Sequence, residues 1–135
     1  MITAVHTLVY SDDAPATRAF FKDVLRWPFV SDDGTGDDPN GWLIFGTGPS
    51  ELGVHPTSTE HEGRTYTSPR HHAIAVMCDD LDATSAELAG RGATFNGEAR
   101  EMGFGRGILL QVPSADDMLL YEARHELAYR LGTTD

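Results

Sequence analysis

Cys78 is the only cysteine among the 135 residues. An internal disulfide is therefore excluded, nothing calls for an oxidising compartment, and the cytoplasm is the expected location. Basic residues are also few: Lys and Arg number 10 against 21 Asp and Glu, for a net charge of −11. With no basic patch, binding to nucleic acid through phosphates is not expected. The acidic balance would attract a cationic ligand, though only weakly. No apolar run approaches the roughly 20 residues that a membrane helix needs, so no membrane partner is expected. The opening MITAVHTLVYSDD lacks both a basic start and a small-residue cleavage site, which argues against a signal peptide. Hydrophobic residues make up 40% of the chain and aromatic residues 9%, enough for one compact domain with a real core and against disorder.

What is present is a repeated phrase. HTLVYSDDAPATRAFF, from His6 to Phe21, is echoed by AIAVMCDDLDATSAEL, from Ala73 to Leu88. Asp12 and Asp13 fall on Asp79 and Asp80; Ala16, Thr17 and Ala19 fall on Ala83, Thr84 and Ala86, at a constant offset of 67 residues. Each copy is an apolar run, an aspartate pair and a helical pattern. Self-similarity at a fixed offset points to two copies of one structural unit.

The rest of the chain extends both copies. Thr3 to Tyr10 predicts a strand, and Asp12-Asp13 with Pro15 predicts a capped helix running to Leu25. Phe29-Val30, Trp42 to Phe45 and Glu51 to His55 predict three further strands, with a polar loop from Ser31 to Gly41. Pro56 to Arg70 has no apolar periodicity and reads as a linker. Then come a strand from His71 to Cys78, a helix from Leu81 to Gly90 and strands starting at Ala93, Ile108 and Met118. The glycine-rich run from Gly103 to Gly107 predicts a hairpin; it lacks the Lys-Ser/Thr ending of a phosphate loop. Arg124 to Leu131 suggests a short terminal helix. The fold class is thus α+β, a single domain of two βαβββ repeats forming paired curved mixed sheets. Repeat one spans about 1–56, the linker about 57–70, repeat two about 71–123 and the tail about 124–135.

Two such units, with VHTLVYSDDAPATRAFFKDVL, MCDDLDATSAELAGRGATF and the strand ending LLYEARH, resemble the vicinal oxygen chelate superfamily of glyoxalases, extradiol dioxygenases and bleomycin-resistance proteins. The resemblance implies that each unit folds half of a cup that holds a small molecule, and that the protein is a homodimer. It also implies where a metal would sit. The positions matching the superfamily's ligands are His6 and its twin Ala73 (rather than His72) in the first strands, and Gly53 and Leu119 in the fourth. One donor out of four cannot hold a divalent ion, which needs about three protein ligands. No metal or other cofactor is therefore expected. A slipped His6/His72 pair, or a shifted set of His6, His55 and His71, stays open as an alternative.

Strand alternation assigns the faces. Ile74, Val76, Cys78, Leu52 and Val54 should back onto the helices, Glu122 should turn away from the cup, and Glu51, Gly53 and His55 should face it. The expected ligand-binding residues are His6, Tyr10, Trp42, His55, His71, Met77, Phe104 and Tyr121. Aromatic and thioether walls with a few polar tips suit a flat organic ligand. His61 and His125, in linker and tail, read as solvated or contact residues. Cys78 reads as a packed thiol and the aspartate pairs as helix caps, and no nucleophile elbow is present. The expected function is metal-free binding of a small aromatic or conjugated molecule, as in drug sequestration or self-resistance. The alternatives are a metal-dependent lyase, isomerase or dioxygenase, and a metal-free enzyme using His6 or His55 as a base. No catalytic residue is identified, and whether any turnover occurs is left open.

Overall fold

Asp13 and Asp80, the second members of the repeated aspartate pairs, start the two helices. Each side-chain carboxylate accepts a hydrogen bond from the backbone N–H three residues on, Ala16 N at 3.2 Å and Ala83 N at 3.0 Å. The helices are α1 (Ala14–Asp23) and α2 (Leu81–Gly90). The computed structural model describes residues 6–31, 34–54 and 56–130.

The second half forms the larger sheet. Strands β5 (Ala75–Cys78), β6 (Phe95–Met102), β7 (Gly105–Leu110) and β8 (Met118–Ala123) lie in the order β5-β8-β7-β6. β5 runs parallel to β8, whereas β7 is antiparallel to both of its neighbours, so the sheet is mixed. β6 is kinked between Asn96 and Arg100, where Gly97 takes a positive φ of 83°. With α2 between β5 and β6, this half is the expected βαβββ unit.

The first half is less regular. β1 (Phe29–Ser31) and β2 (Leu43–Phe45) pair antiparallel, Val30 opposite Ile44. Residues 6–10 and 51–54 join no ladder, which corrects the expectation of strands over Thr3–Tyr10 and Glu51–His55 for the part that is described; Thr3 to Val5 and His55 lie outside the described residues. Leu52 and Val54 do not back onto a helix as expected: with no neighbouring strand to fix their register, both are largely exposed. The linker carries an antiparallel hairpin, β3 (Ser58–His61) with β4 (Arg64–Thr67). Its two-residue turn is Glu62-Gly63, both with positive φ as this kind of tight turn requires. The tail ends in a single 3-10 turn, Ala128–Arg130.

One core joins the halves. Phe20 and Phe21 of α1 and Leu81 and Leu88 of α2 cluster with Leu110, Val112, Met118 and Leu120 on one face of the larger sheet. Val76 and Cys78 face this core, as alternation predicts. Thr17, buried on α1, donates from its hydroxyl to the Pro113 carbonyl at 2.6 Å, and the Asp12 N–H donates to the Ser114 carbonyl at 2.9 Å. Arg91 donates to the Val24 carbonyl, tying the end of α2 to the end of α1. The opposite face of the sheet is left for other contacts. Among the described residues, no helix is long and apolar enough to cross a membrane.

Candidate functional site

The free face of the larger sheet is built on the odd positions of β8. Leu120 points to the helices and is 1% exposed, so Leu119 and Tyr121 point the other way. Pairing places Met77 of β5 and Gly107 of β7 on either side of Tyr121. Gly107 is needed there, because a Cβ would come within 2.9 Å of Leu119 Cδ1 and 3.2 Å of Tyr121 Cβ. Its bare backbone lets the two larger side chains settle over β7.

Tyr121 is buried although it lies on the face without helices. Phe104, in the β6–β7 turn, meets it edge-to-face, with ring centroids 5.3 Å apart and planes at 83°. The chain leaving β8 covers it further. His125 lies with its ring 5.9 Å from the Tyr121 ring, and its Nε2 is 2.9 Å from the tyrosine hydroxyl. His125 Nδ1 is 2.7 Å from the Glu126 carbonyl oxygen. A carbonyl only accepts, so Nδ1 carries a proton and, in the neutral ring, Nε2 accepts from Tyr121.

Glu51 arrives from the first half. Its Oε2 accepts from the backbone N–H groups of Ala128 and Tyr129, at 2.8 and 3.2 Å, and its Oε1 lies 3.5 Å from His125 Nε2. One carboxylate thus fastens the tail across the end of the sheet. Burial, and secondarily the Glu51 charge, push the Tyr121 hydroxyl above the ordinary phenol range.

Of the residues expected to line the site, the structure brings Met77, Phe104 and Tyr121 together. The other described ones stand elsewhere. Trp42 lies under the Arg18 guanidinium of α1, 5.5 Å from its ring centre. Tyr10 is 86% exposed and borders a shallow depression with Asp12, Ser114 and Asp116. His71 is exposed before β5, its Nδ1 donating to the Pro69 carbonyl at 2.7 Å. His6 is exposed, and His55 lies outside the described residues. His125, which the sequence reads as a solvated or contact residue of the tail, makes a contact at Tyr121 that the sequence reading does not assign to the site. The available signal was its place four residues after Tyr121 in LLYEARH. Glu51 was placed on the cup-facing side but given no role.

Glu122 turns to the helix side, where its Oε1 accepts from Leu81 N at 3.0 Å and supports the start of α2. Cys78 is half-buried, and burial pushes its thiol up, away from nucleophilic character. Among the described residues, no three His, Cys, Asp or Glu side chains gather as metal ligands. Gly53, Ala73 and Leu119 offer no donor side chain beside His6, so these positions do not fit a divalent ion. Two open depressions of about 330 and 370 Å³ lie away from Tyr121, lined chiefly by the segments around Val112 and Ser114.

A family model described as Glyoxalase/Bleomycin resistance protein/Dioxygenase superfamily matches residues 3–119. Among solved structures, the fold is similar to that of TnmS3, an antibiotic binding protein from Streptomyces sp. CB03234. Identity is 16%, coverage is 90% of this chain and 97% of that one, and the TM-score is 0.57. UcmS2 is similar at 17% identity over 91% of this chain and 100% of its own, with a TM-score of 0.57. A superfamily member from Sphaerobacter thermophilus DSM 20745 shares 20% identity over 89% and 97% of the two chains, with a TM-score of 0.55. Among curated proteins, none matches.

Proposed function

Since the chain belongs to the glyoxalase/bleomycin resistance protein/dioxygenase superfamily, we propose that it binds a small aromatic or conjugated organic molecule on the free face of its larger sheet, without a metal ion. The observation that carries this reading is the Tyr121–Phe104 pair: a buried tyrosine, its hydroxyl held by His125, set edge-on against a phenylalanine that is still 44% exposed. An exposed aromatic face beside a fixed polar tip is suited to stacking a flat ligand and orienting it. The positions that the sequence reading matches to the superfamily's metal ligands are His6, Gly53, Ala73 and Leu119, one donor in four where a divalent ion needs about three. A structural neighbour is described as an antibiotic binding protein, which fits sequestration of a drug-like molecule as the role.

The test is a titration of aromatic ligands against the purified protein with and without a chelator. Binding should survive the chelator, and Tyr121→Ala should weaken it by about 1–3 kcal/mol. Binding or turnover that vanishes with chelator and returns with zinc, manganese or iron would replace this reading with a metal-dependent enzyme.

A further inference from the structure

The polar end of the proposed site has a definite hydrogen-bonding sign. With His125 Nδ1–H spent on the Glu126 carbonyl, Nε2 of the neutral ring can only accept. The Tyr121 hydroxyl gives its one proton to that nitrogen, 2.9 Å away. What the hydroxyl can still offer is its lone pairs. Glu51 uses Oε2 on the Ala128 and Tyr129 amides, while Oε1 lies 3.5 Å from a nitrogen that, in this tautomer, has no proton to give. Among the described residues no other donor is directed at Oε1. The cluster therefore presents acceptors and no spare donor.

It is also reachable without being open water. The Glu51 side chain is 17% exposed and that of His125 is 32% exposed. Phe104, pressed on Tyr121, brings an exposed aromatic surface to the same place. A ligand that covers these partly buried acceptors without matching them costs free energy, which a ligand donor avoids.

We propose that Glu51 and His125, acting with Tyr121, make this site selective for aromatic ligands that carry a hydrogen-bond donor, a phenolic hydroxyl or an N–H, over matched ligands whose polar group only accepts. The proposal rests on the reading of this face as the ligand site and adds the chemical class of its ligand.

Three fluorescent probes test it: 2-naphthol, 2-methoxynaphthalene and 2-naphthoate. They share one ring system and differ in whether the polar group donates, accepts or carries negative charge. At pH about 8, 2-naphthol should bind wild-type protein about tenfold or more tightly than 2-methoxynaphthalene. Naphthoate should bind weakest, since its carboxylate meets the Glu51 carboxylate. Glu51→Gln keeps a carbonyl for the Ala128 and Tyr129 amides but turns an NH2 group towards the ligand. It should bring the affinities for naphthol and methoxynaphthalene within about threefold of one another. Phe104→Ala should weaken all three probes together. The wild-type ratio is decisive whatever the variants do to folding. Equal affinity for naphthol and methoxynaphthalene, with both weakened by Phe104→Ala, would overturn the donor selectivity while leaving the binding face in place. A full naphthol advantage in well-folded Glu51→Gln protein would overturn the role of Glu51. Failure of all three probes to bind would overturn both the selectivity and the site.

Discussion

At the scale of single residues, Gly105 and Gly107 decide how closely β7 approaches β8. A Cβ on Gly105 would stand 2.2 Å from the Glu122 carbonyl oxygen, a backbone atom that cannot swing aside. Gly105→Ala should therefore destabilise the protein by about 1–3 kcal/mol, read as a lower denaturation midpoint with an unchanged slope. Tyr121 makes a second prediction. Its hydroxyl is held above the usual phenol range, first by burial, so the folded state retains its proton where the unfolded chain would lose it. That contribution is complete below pH about 10 and is lost as pH rises through the folded value. Urea denaturation from pH 9 to 11 should show a stability loss that is reduced in Tyr121→Phe. Sequence reading reached much at this scale where geometry is local. Alternation alone sent Glu122 and Cys78 to the helix side. It did not reach the Glu51–His125 approach, because 74 residues separate the partners and neither belongs to a periodic element.

At the scale of elements, legibility followed how much of each element's cause lies within it. The two helices announce themselves through an aspartate cap and a spaced apolar face, both local, and α1 and α2 begin as the repeat predicts. Strand β8 was legible because its alternation agrees with one buried face, whereas the strand read from His71 begins only at Ala75 and β7 begins at Gly105, inside the glycine run read as a hairpin. A strand also needs a neighbour, and alternation in 6–10 and 51–54 could not say whether one would be there. The hairpin β3–β4 went unread for the opposite reason: STEHEGRTYT has no apolar face, and only the Glu62-Gly63 turn marks it. A two-stranded hairpin with almost every residue exposed is marginally stable. Hydrogen exchange should accordingly find the amides of Ser58–Thr67 exchanging far faster than those of β7 and β8. Comparable protection in both would mean that the hairpin is covered by something besides this chain.

At the scale of the whole molecule, the two halves are unequally finished. The second half closes a four-stranded sheet over the core, while the first leaves Leu8, Tyr10, Leu52 and Val54 uncovered, the last at 94% exposure. Apolar surface of this kind marks interfaces. A twofold homodimer is the expected assembly, with these residues against the partner. Sedimentation at micromolar concentration should give twice the 14.7 kDa chain mass, and a mass equal to one chain would contradict the dimer. The acidic surface, net −11, should contribute little to ligand affinity at physiological salt, where screening acts within about 8 Å.

The central claim is that ligand is held on the face of the sheet marked by Tyr121, and chemical-shift mapping tests it most directly. Isotope-labelled protein is titrated with 2-naphthol in the presence of chelator. Saturable shifts should concentrate on Met77, Phe104, Leu109, Tyr121 and His125, the residues on or beside that face. Shifts confined instead to the depression around Phe20, Gln111 and Val112, or no saturable shifts until metal is restored, would contradict the account.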